Sequence, residues 1–171
     1  HVILKEYYID KETPYFKEYA KEFTDMPFLV RVEDINGAVQ PGRFLNAKDL
    51  GSKEDGADFQ TVLIDETTNE IVVPNGTMGD RHTNPQKWNL RLENRNTGAK
   101  IDPRLSVFDQ REDVTVVKLP YFGDEEHEGV IERAIPTITV QTVDGPVKVT
   151  TVYDLILANY GIDRGIGGEV A

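Results

Sequence analysis

The stretch TPYFKEYAKEFTDMPFLVRV (residues 13–32) decides the fold, because the spacing of its apolar residues changes partway along it. Thr13-Pro14 is an N-cap followed by proline at the first helical position, where a missing N–H costs nothing. Phe16, Tyr19, Ala20 and Phe23 then recur at i, i+3, i+4 and i+7, one stripe of a helix ending near Thr24. Lys17, Glu18, Lys21 and Glu22 take the opposite face. Asp25-Met26-Pro27 stops the helix, since the residue before proline is pushed out of the helical region. Phe28-Leu29-Val30-Arg31-Val32 continues with the apolar density of a strand.

Working outward from this switch, Asn36-Gly37 is the strongest short hairpin signal in the chain, returning through 38–40 before Pro41-Gly42 breaks the run ahead of Arg43-Phe44-Leu45. Residues 50–58 form a polar loop. A second hairpin pairs 61–64 with 70–73 across 66–69, and Pro74-Asn75-Gly76 closes it. Residues 78–86 show little periodicity, 88–92 alternate like a strand, and Asn96-Thr97-Gly98 turns. Short strands are expected at 105–108 and 114–117, and a solvated acidic loop at 124–128. A third hairpin pairs 137–142 with 147–151, turning at Asp144-Gly145. Thr151 caps a final helix with Asp154 at capping-box spacing. Val152, Leu155, Ile156 and Tyr160 are its expected buried face, and Gly161 its C-terminal glycine. Upstream, Val2, Ile3, Leu4, Tyr7 and Tyr8 form a dense apolar helical stretch with no N-cap.

The expected fold class is therefore α+β, mainly antiparallel hairpins bracketed by an N-terminal helical segment and a C-terminal helix. The organisation is one segment, 1–171: helical over 1–25, β-rich over 26–151, helical over 152–161 and flexible over 162–171. The chain starts at His1 and its methionines are Met26 and Met78, so it reads as a processed product or a piece cut from a longer chain, His1 alternatively being a tag remnant.

Composition narrows the function classes. With 171 residues, 39% of them apolar, the chain is long enough for one domain that buries about 70% of its unfolded surface. A net charge of −11 repels phosphate backbones and anionic lipid. The absence of cysteine removes disulfides, thiolate nucleophiles and iron–sulfur ligation within these residues. No apolar run approaches the roughly 18 residues of a membrane helix.

Few residues suggest chemistry. His127 within Asp124-Glu125-Glu126-His127-Glu128 offers metal-ligand atoms, but consecutive loop residues wrap one ion poorly. Asp80-Arg81-His82 lies near Gly76 and Gly79, where a histidine could protonate a substrate, yet it has no visible partner. The glycines at 161, 165, 167 and 168 follow a helix, the reverse of the order a phosphate cradle needs. Ser52 and Ser106 lack the setting of a hydrolase nucleophile. Asn75-Gly76-Thr77 fits a glycosylation pattern and equally a turn, while Trp88 and Tyr121-Phe122 suit packing.

Several blocks together carry a family resemblance: His1-Val2-Ile3-Leu4-Lys5-Glu6, Tyr15-Phe16, Thr24-Asp25-Met26-Pro27-Phe28-Leu29-Val30, Pro74-Asn75-Gly76-Thr77-Met78-Gly79, Lys87-Trp88-Asn89-Leu90, Pro120-Tyr121-Phe122-Gly123 and Thr150-Thr151-Val152-Tyr153-Asp154-Leu155-Ile156-Leu157-Ala158-Asn159-Tyr160-Gly161-Ile162-Asp163-Arg164-Gly165. In this order they resemble the alpha (catalytic) chain of bacterial respiratory nitrate reductase, of the molybdopterin oxidoreductase family. The resemblance implies an internal fragment, the insertion-bearing part of one cofactor-binding region, of an oxidoreductase of anaerobic respiration. The parent would reduce nitrate to nitrite at molybdenum held by two molybdopterin guanine dinucleotides, fed by [4Fe-4S] clusters. The family's metal ligands, Cys and His for the cluster and an aspartate for molybdenum, lie upstream of what this chain matches. No catalytic or metal residue is therefore expected here, cofactor-binding residues stay unassigned, and the fragment itself holds no cofactor and is inactive alone. Implied partners are the rest of the alpha chain and the beta (iron–sulfur) and gamma (membrane haem) subunits, at the cytoplasmic face of the bacterial membrane. The fragment is expected to be soluble, with no nucleic-acid partner and no direct membrane insertion, and to self-associate through its apolar first helix. The alternative is an independent acidic β-rich protein-interaction module.

Overall fold

A computed structural model describes residues 2–11, 13–75, 91–121 and 129–167. Its first turns are helical as expected, but Leu4–Ile9 winds as a π-helix, with the Asp10 amide donating to the Lys5 carbonyl at 2.8 Å. Helix α1 covers Pro14–Phe23. Thr13 precedes it without a side-chain cap; its hydroxyl donates instead to the Tyr7 carbonyl and ties the two helical segments together. On the predicted stripe Ala20 is fully buried, whereas Tyr19 and Phe23 stay about half exposed and pack on each other with ring centroids 5.3 Å apart.

Strand β1 (Leu29–Ile35) and strand β2 (Ala38–Phe44) turn at Asn36-Gly37, with φ of +57° and +82°. Positive φ at both central residues is what a two-residue turn matched to strand twist requires. Asp34 Oδ1 accepts from the Gly37 amide at 2.8 Å. β2 runs straight through Pro41-Gly42, against the expected break. It can do so because it is an edge strand, where proline's missing donor deprives no second neighbour. The register slips between Val30–Phe44 and Val32–Pro41, so the extra residue is absorbed in a bulge. A Cβ at Gly42 would meet the Glu33 carboxylate, the far end of a flexible side chain.

Strands β3 (Leu63–Ile64) and β4 (Ile71–Val72) form the second hairpin as expected. Ala57–Phe59, inside the expected polar loop and next to it, makes a 3-10 turn that buries Ala57. Strands β5 (Asp113–Pro120), β6 (Val130–Thr142) and β7 (Gly145–Thr151) complete a five-stranded antiparallel sheet in the order β2-β1-β7-β6-β5. β6 pairs first with β5, over Val130 to Thr137, and then with β7, over Ile138 to Thr142. The last turn lies one residue earlier than expected, Val143-Asp144, because Thr142 pairs with Gly145. The sheet curls until its edge strands β2 and β5 meet.

One expected strand is absent among the described residues, and most of another, 88–90 of the run 88–92, lies outside them. Residues 105–108 form no strand, and of 88–92 the described part bends at Leu92, whose φ is +45°. Helix α2 covers Val152–Asn159. Its buried residues are Asp154, Leu157 and Ala158, rather than the predicted set: Val152, Leu155 and Ile156 are only half-buried and Tyr160 is exposed. The misjudged face follows from composition, since a helix apolar all round leaves no stripe to read. Its C-terminus closes as expected. Gly161, at φ +63°, donates to the Ala158 carbonyl and Ile162 to the Leu157 carbonyl, the paired bonds of a Schellman cap.

The core lies in three apolar clusters. Leu29, Leu45, Val62, Ile64, Val107, Val140 and Val149 anchor the first, Phe28, Leu63, Val72 and Ile101 the second. Val117, Leu119, Ile131, Ile135 and Ala158 form the third, joining β5, β6 and α2.

Candidate functional site

The most densely bonded polar centre is built around Asp154, in the first turn of α2 and fully buried. Thr151 Oγ1 accepts from the Asp154 amide at 3.1 Å, the N-cap bond that satisfies an orphan helix donor. The Asp154 carboxylate does not reach back to the Thr151 amide, as the capping box would have it. Its Oδ2 accepts from the Thr151 hydroxyl at 2.8 Å and the Val107 amide at 2.9 Å. Its Oδ1 accepts from the Ser106 hydroxyl and from Arg164 Nη1, both at 2.6 Å. The Arg164 guanidinium also lies over the Phe108 ring, 5.0 Å from its centroid, with Arg111 stacked on the same ring at 4.2 Å.

This arrangement fixes what the centre can do chemically. Both carboxylate oxygens already accept two hydrogen bonds, so Asp154 has no lone pair to offer a substrate proton. Ser106 spends its proton on Asp154 and accepts the Phe108 amide at 3.1 Å. The centre therefore acts as a clasp that joins a strandless loop, a helix N-terminus and the segment after the helix.

Two further centres have the same character. Arg43 grips Asp49 with Nη1 at 2.7 Å and Nη2 at 2.5 Å, while the Asn46 amide and Arg31 add bonds at 3.0 and 3.4 Å. The Arg43 bond holds the Asp49 carboxyl below its ordinary range, against burial, which raises it. Around Asp65, burial pushes the carboxyl up, but the Asp102 amide, the Thr68 hydroxyl and the Thr67 and Thr68 amides outweigh it and hold it down. Arg104 completes that centre, with Nε 2.5 Å from Glu66 Oε2 and Nη1 2.7 Å from Asn69 Oδ1.

Of the residues weighed for chemistry, His1, Asp80, Arg81, His82, Trp88, Phe122, the acidic run 124–128 with His127, and Gly168 lie outside the described residues. Tyr121 packs against the third apolar cluster, and Ser52 Oγ accepts the Glu54 amide at 3.4 Å, a turn role. Asn75 donates its amide to Glu93 and accepts from Arg91. Sequence reasoning picked out Asp154 as a capping residue but missed Ser106, Val107 and Arg164 around it, and missed Arg43, Asp49, Asp65 and Arg104 altogether. The available signal was Asp154 itself, a carboxylate standing inside the apolar run 152–157.

No protein-family model matches the chain. The nitrate reductase alpha chain of Bacillus subtilis (strain 168) is 45% identical to it over 171 residues, taking in 100% of this chain and 14% of that protein. The chain resembles a segment of nitrate reductase alpha chains. The respiratory nitrate reductase 1 alpha chain of Escherichia coli (strain K12) is 38% identical over 97% of this chain, and the nitrate reductase alpha subunit of Mycobacterium tuberculosis (strain CDC 1551 / Oshkosh) 36% identical over 99%. In each case the match spans only 14% of the nitrate reductase relative. The chain has no thiol, and among the described residues no three His, Asp or Glu side chains converge, so the described residues offer no donor set for a metal centre.

Proposed function

We propose that the chain is a structural segment of the catalytic alpha chain of a respiratory nitrate reductase. The carrying observation is 45% identity across the entire chain to a protein of that name. The whole enzyme reduces nitrate to nitrite at a molybdenum bis-molybdopterin guanine dinucleotide centre supplied with electrons by [4Fe-4S] clusters. Its other subunits, beta with iron–sulfur clusters and gamma with membrane haem, hold it at the cytoplasmic face of the membrane. Among the described residues no helix is long and apolar enough to cross a membrane. Residues 1–171 form one unit of that larger chain and contribute no catalytic or metal-binding side chain. The saturated centres at Asp154, Asp49 and Asp65 support this reading, because each stiffens a junction and leaves no reactive group free.

The test is an assay of the purified chain for reduced-viologen-dependent nitrite formation, with elemental analysis for molybdenum and iron. Neither nitrite nor stoichiometric metal is expected. Either one would overturn the structural assignment.

A further inference from the structure

Arg133, on β6, and Arg164, after α2, line one small pocket together with Ala134, Ala158, Gly161, Ile162, Ile166 and Gly167. The pocket is partly open, and its space of about 10 Å³ is room for the centre of one water-sized guest. Each of these two lining arginines carries a donor left unsatisfied. Arg164 Nη2 and Arg133 Nε are buried and find no hydrogen-bond acceptor among the described residues. The Arg164 side chain is nine-tenths buried, and its other terminal nitrogen is spent on Asp154. Arg133 Nη1 donates to the Glu132 carbonyl.

The physical anomaly is specific. A buried, uncompensated donor on a charged group costs more than one on a neutral group. Two cations with donors left over, in a chain of net charge −11, run against the field of the whole molecule. Among the described residues one carboxylate, Asp154, serves Arg164, and Arg133 Nη1 donates to a neutral carbonyl. The walls apart from the two arginines are Ala, Ile and Gly, which offer no side-chain acceptor of their own.

We infer that the Arg133–Arg164 pocket is a binding site for one small inorganic anion of halide size. Such an ion accepts from Arg164 Nη2 and Arg133 Nε together, neutralises the excess positive charge and reinforces the junction between β6 and the segment after α2. The size of the pocket excludes a nucleotide or a polyphosphate, and its charge disfavours a metal cation. This inference does not depend on the nitrate reductase reading, since it concerns anion affinity and not turnover.

The test uses the whole chain with chloride and bromide as probes. Thermal unfolding is followed in sodium chloride and in sodium gluconate at equal ionic strength, gluconate being too large to enter. Chloride is expected to raise Tm by about 2–4 °C along a saturating curve, and the Arg133→Gln variant to lose that rise while responding normally to ionic strength. Equal Tm in the two salts would overturn the site, because screening alone acts the same in both. Should Arg133→Gln fold poorly, a bromide soak of the unaltered chain decides the matter: an anomalous peak between the two guanidinium groups supports the inference. A water, or the Glu169 carboxylate, in that place overturns it.

Discussion

Asp154 Oδ2 accepts the Val107 amide at 2.9 Å across 47 residues of chain, and this bond explains why 105–108 is not a strand. The alternating Leu105-Ser106-Val107-Phe108 has the pattern of one, but the Val107 amide is taken by a carboxylate rather than by a neighbouring backbone. Val107 itself is fully buried in the first apolar cluster, so the clasp and the core fix the same residue from two sides.

Removing that carboxylate strands four donors, one of them a cation with a largely buried side chain. Asp154→Ala is expected to cost about 3–5 kcal/mol in urea unfolding, the range for breaking a buried pair. Asp154→Asn keeps the shape but loses the charge, and should cost less. A loss below about 1 kcal/mol for Asp154→Ala, within the scatter of surface substitutions, would show that the centre is not structural.

The glycine closing α2 is a separate test of local geometry. Gly161 sits at φ +63°, where a Cβ is strained by about 1–2 kcal/mol. Gly161→Ala should lower the thermal midpoint by several degrees, and Gly161→Asn by less, since asparagine tolerates this conformation. Equal effects of the two would contradict the cap.

Acid should loosen the fold through Asp49 and Asp65. Both carboxyls are held below the ordinary 3.8 in the folded chain, so their contribution is present above that value and is lost progressively as pH falls below it through the lowered folded values. Urea midpoints measured from pH 7 to pH 3 should fall mainly below about pH 4. Arg43→Met removes the largest cause of the Asp49 shift and should flatten that fall. An acid dependence identical in the variant would mean that Arg43 does not hold Asp49.

The apolar N-terminal surface should drive self-association. Val2, Ile3 and Tyr15 are 60, 67 and 77% exposed, and Tyr7 and Tyr19 about half exposed. Burying such a side chain gains about 1.5–3 kcal/mol, and the chain's negative charge opposes contact only weakly within a Debye length of about 8 Å. Sedimentation at rising concentration should show dimers that Ile3→Glu and Tyr7→Glu dissolve. A monomer at every concentration, indifferent to both substitutions, would remove this surface from consideration.

What could be read from the sequence was local chemistry. Asn36-Gly37, Thr13-Pro14, Gly161 and the Thr151 cap each depend on neighbours within a few residues, and each stands where its spacing puts it. Pro41 was misleading for the same reason. A proline ends a strand only where the lost donor matters, and whether β2 lies at an edge depends on residues far away in sequence. The Asp154 centre was half legible: Thr151 stands three positions off, whereas Ser106 and Val107 lie 48 and 47 residues away and no periodicity reports them. The half-exposed α1 stripe shows the converse limit, since a helical period marks a face without saying what covers it.

The segment role is tested most directly by exchange. The matching part of the Bacillus subtilis nitrate reductase alpha chain is replaced by these 171 residues, and reduced-viologen-dependent nitrite formation is measured in cells lacking their own enzyme. A structural segment of that chain predicts an assembled, metal-loaded chimera that forms nitrite, and loss of assembly when the inserted segment carries Asp154→Ala. An assembled and metal-loaded chimera that forms no nitrite would contradict it.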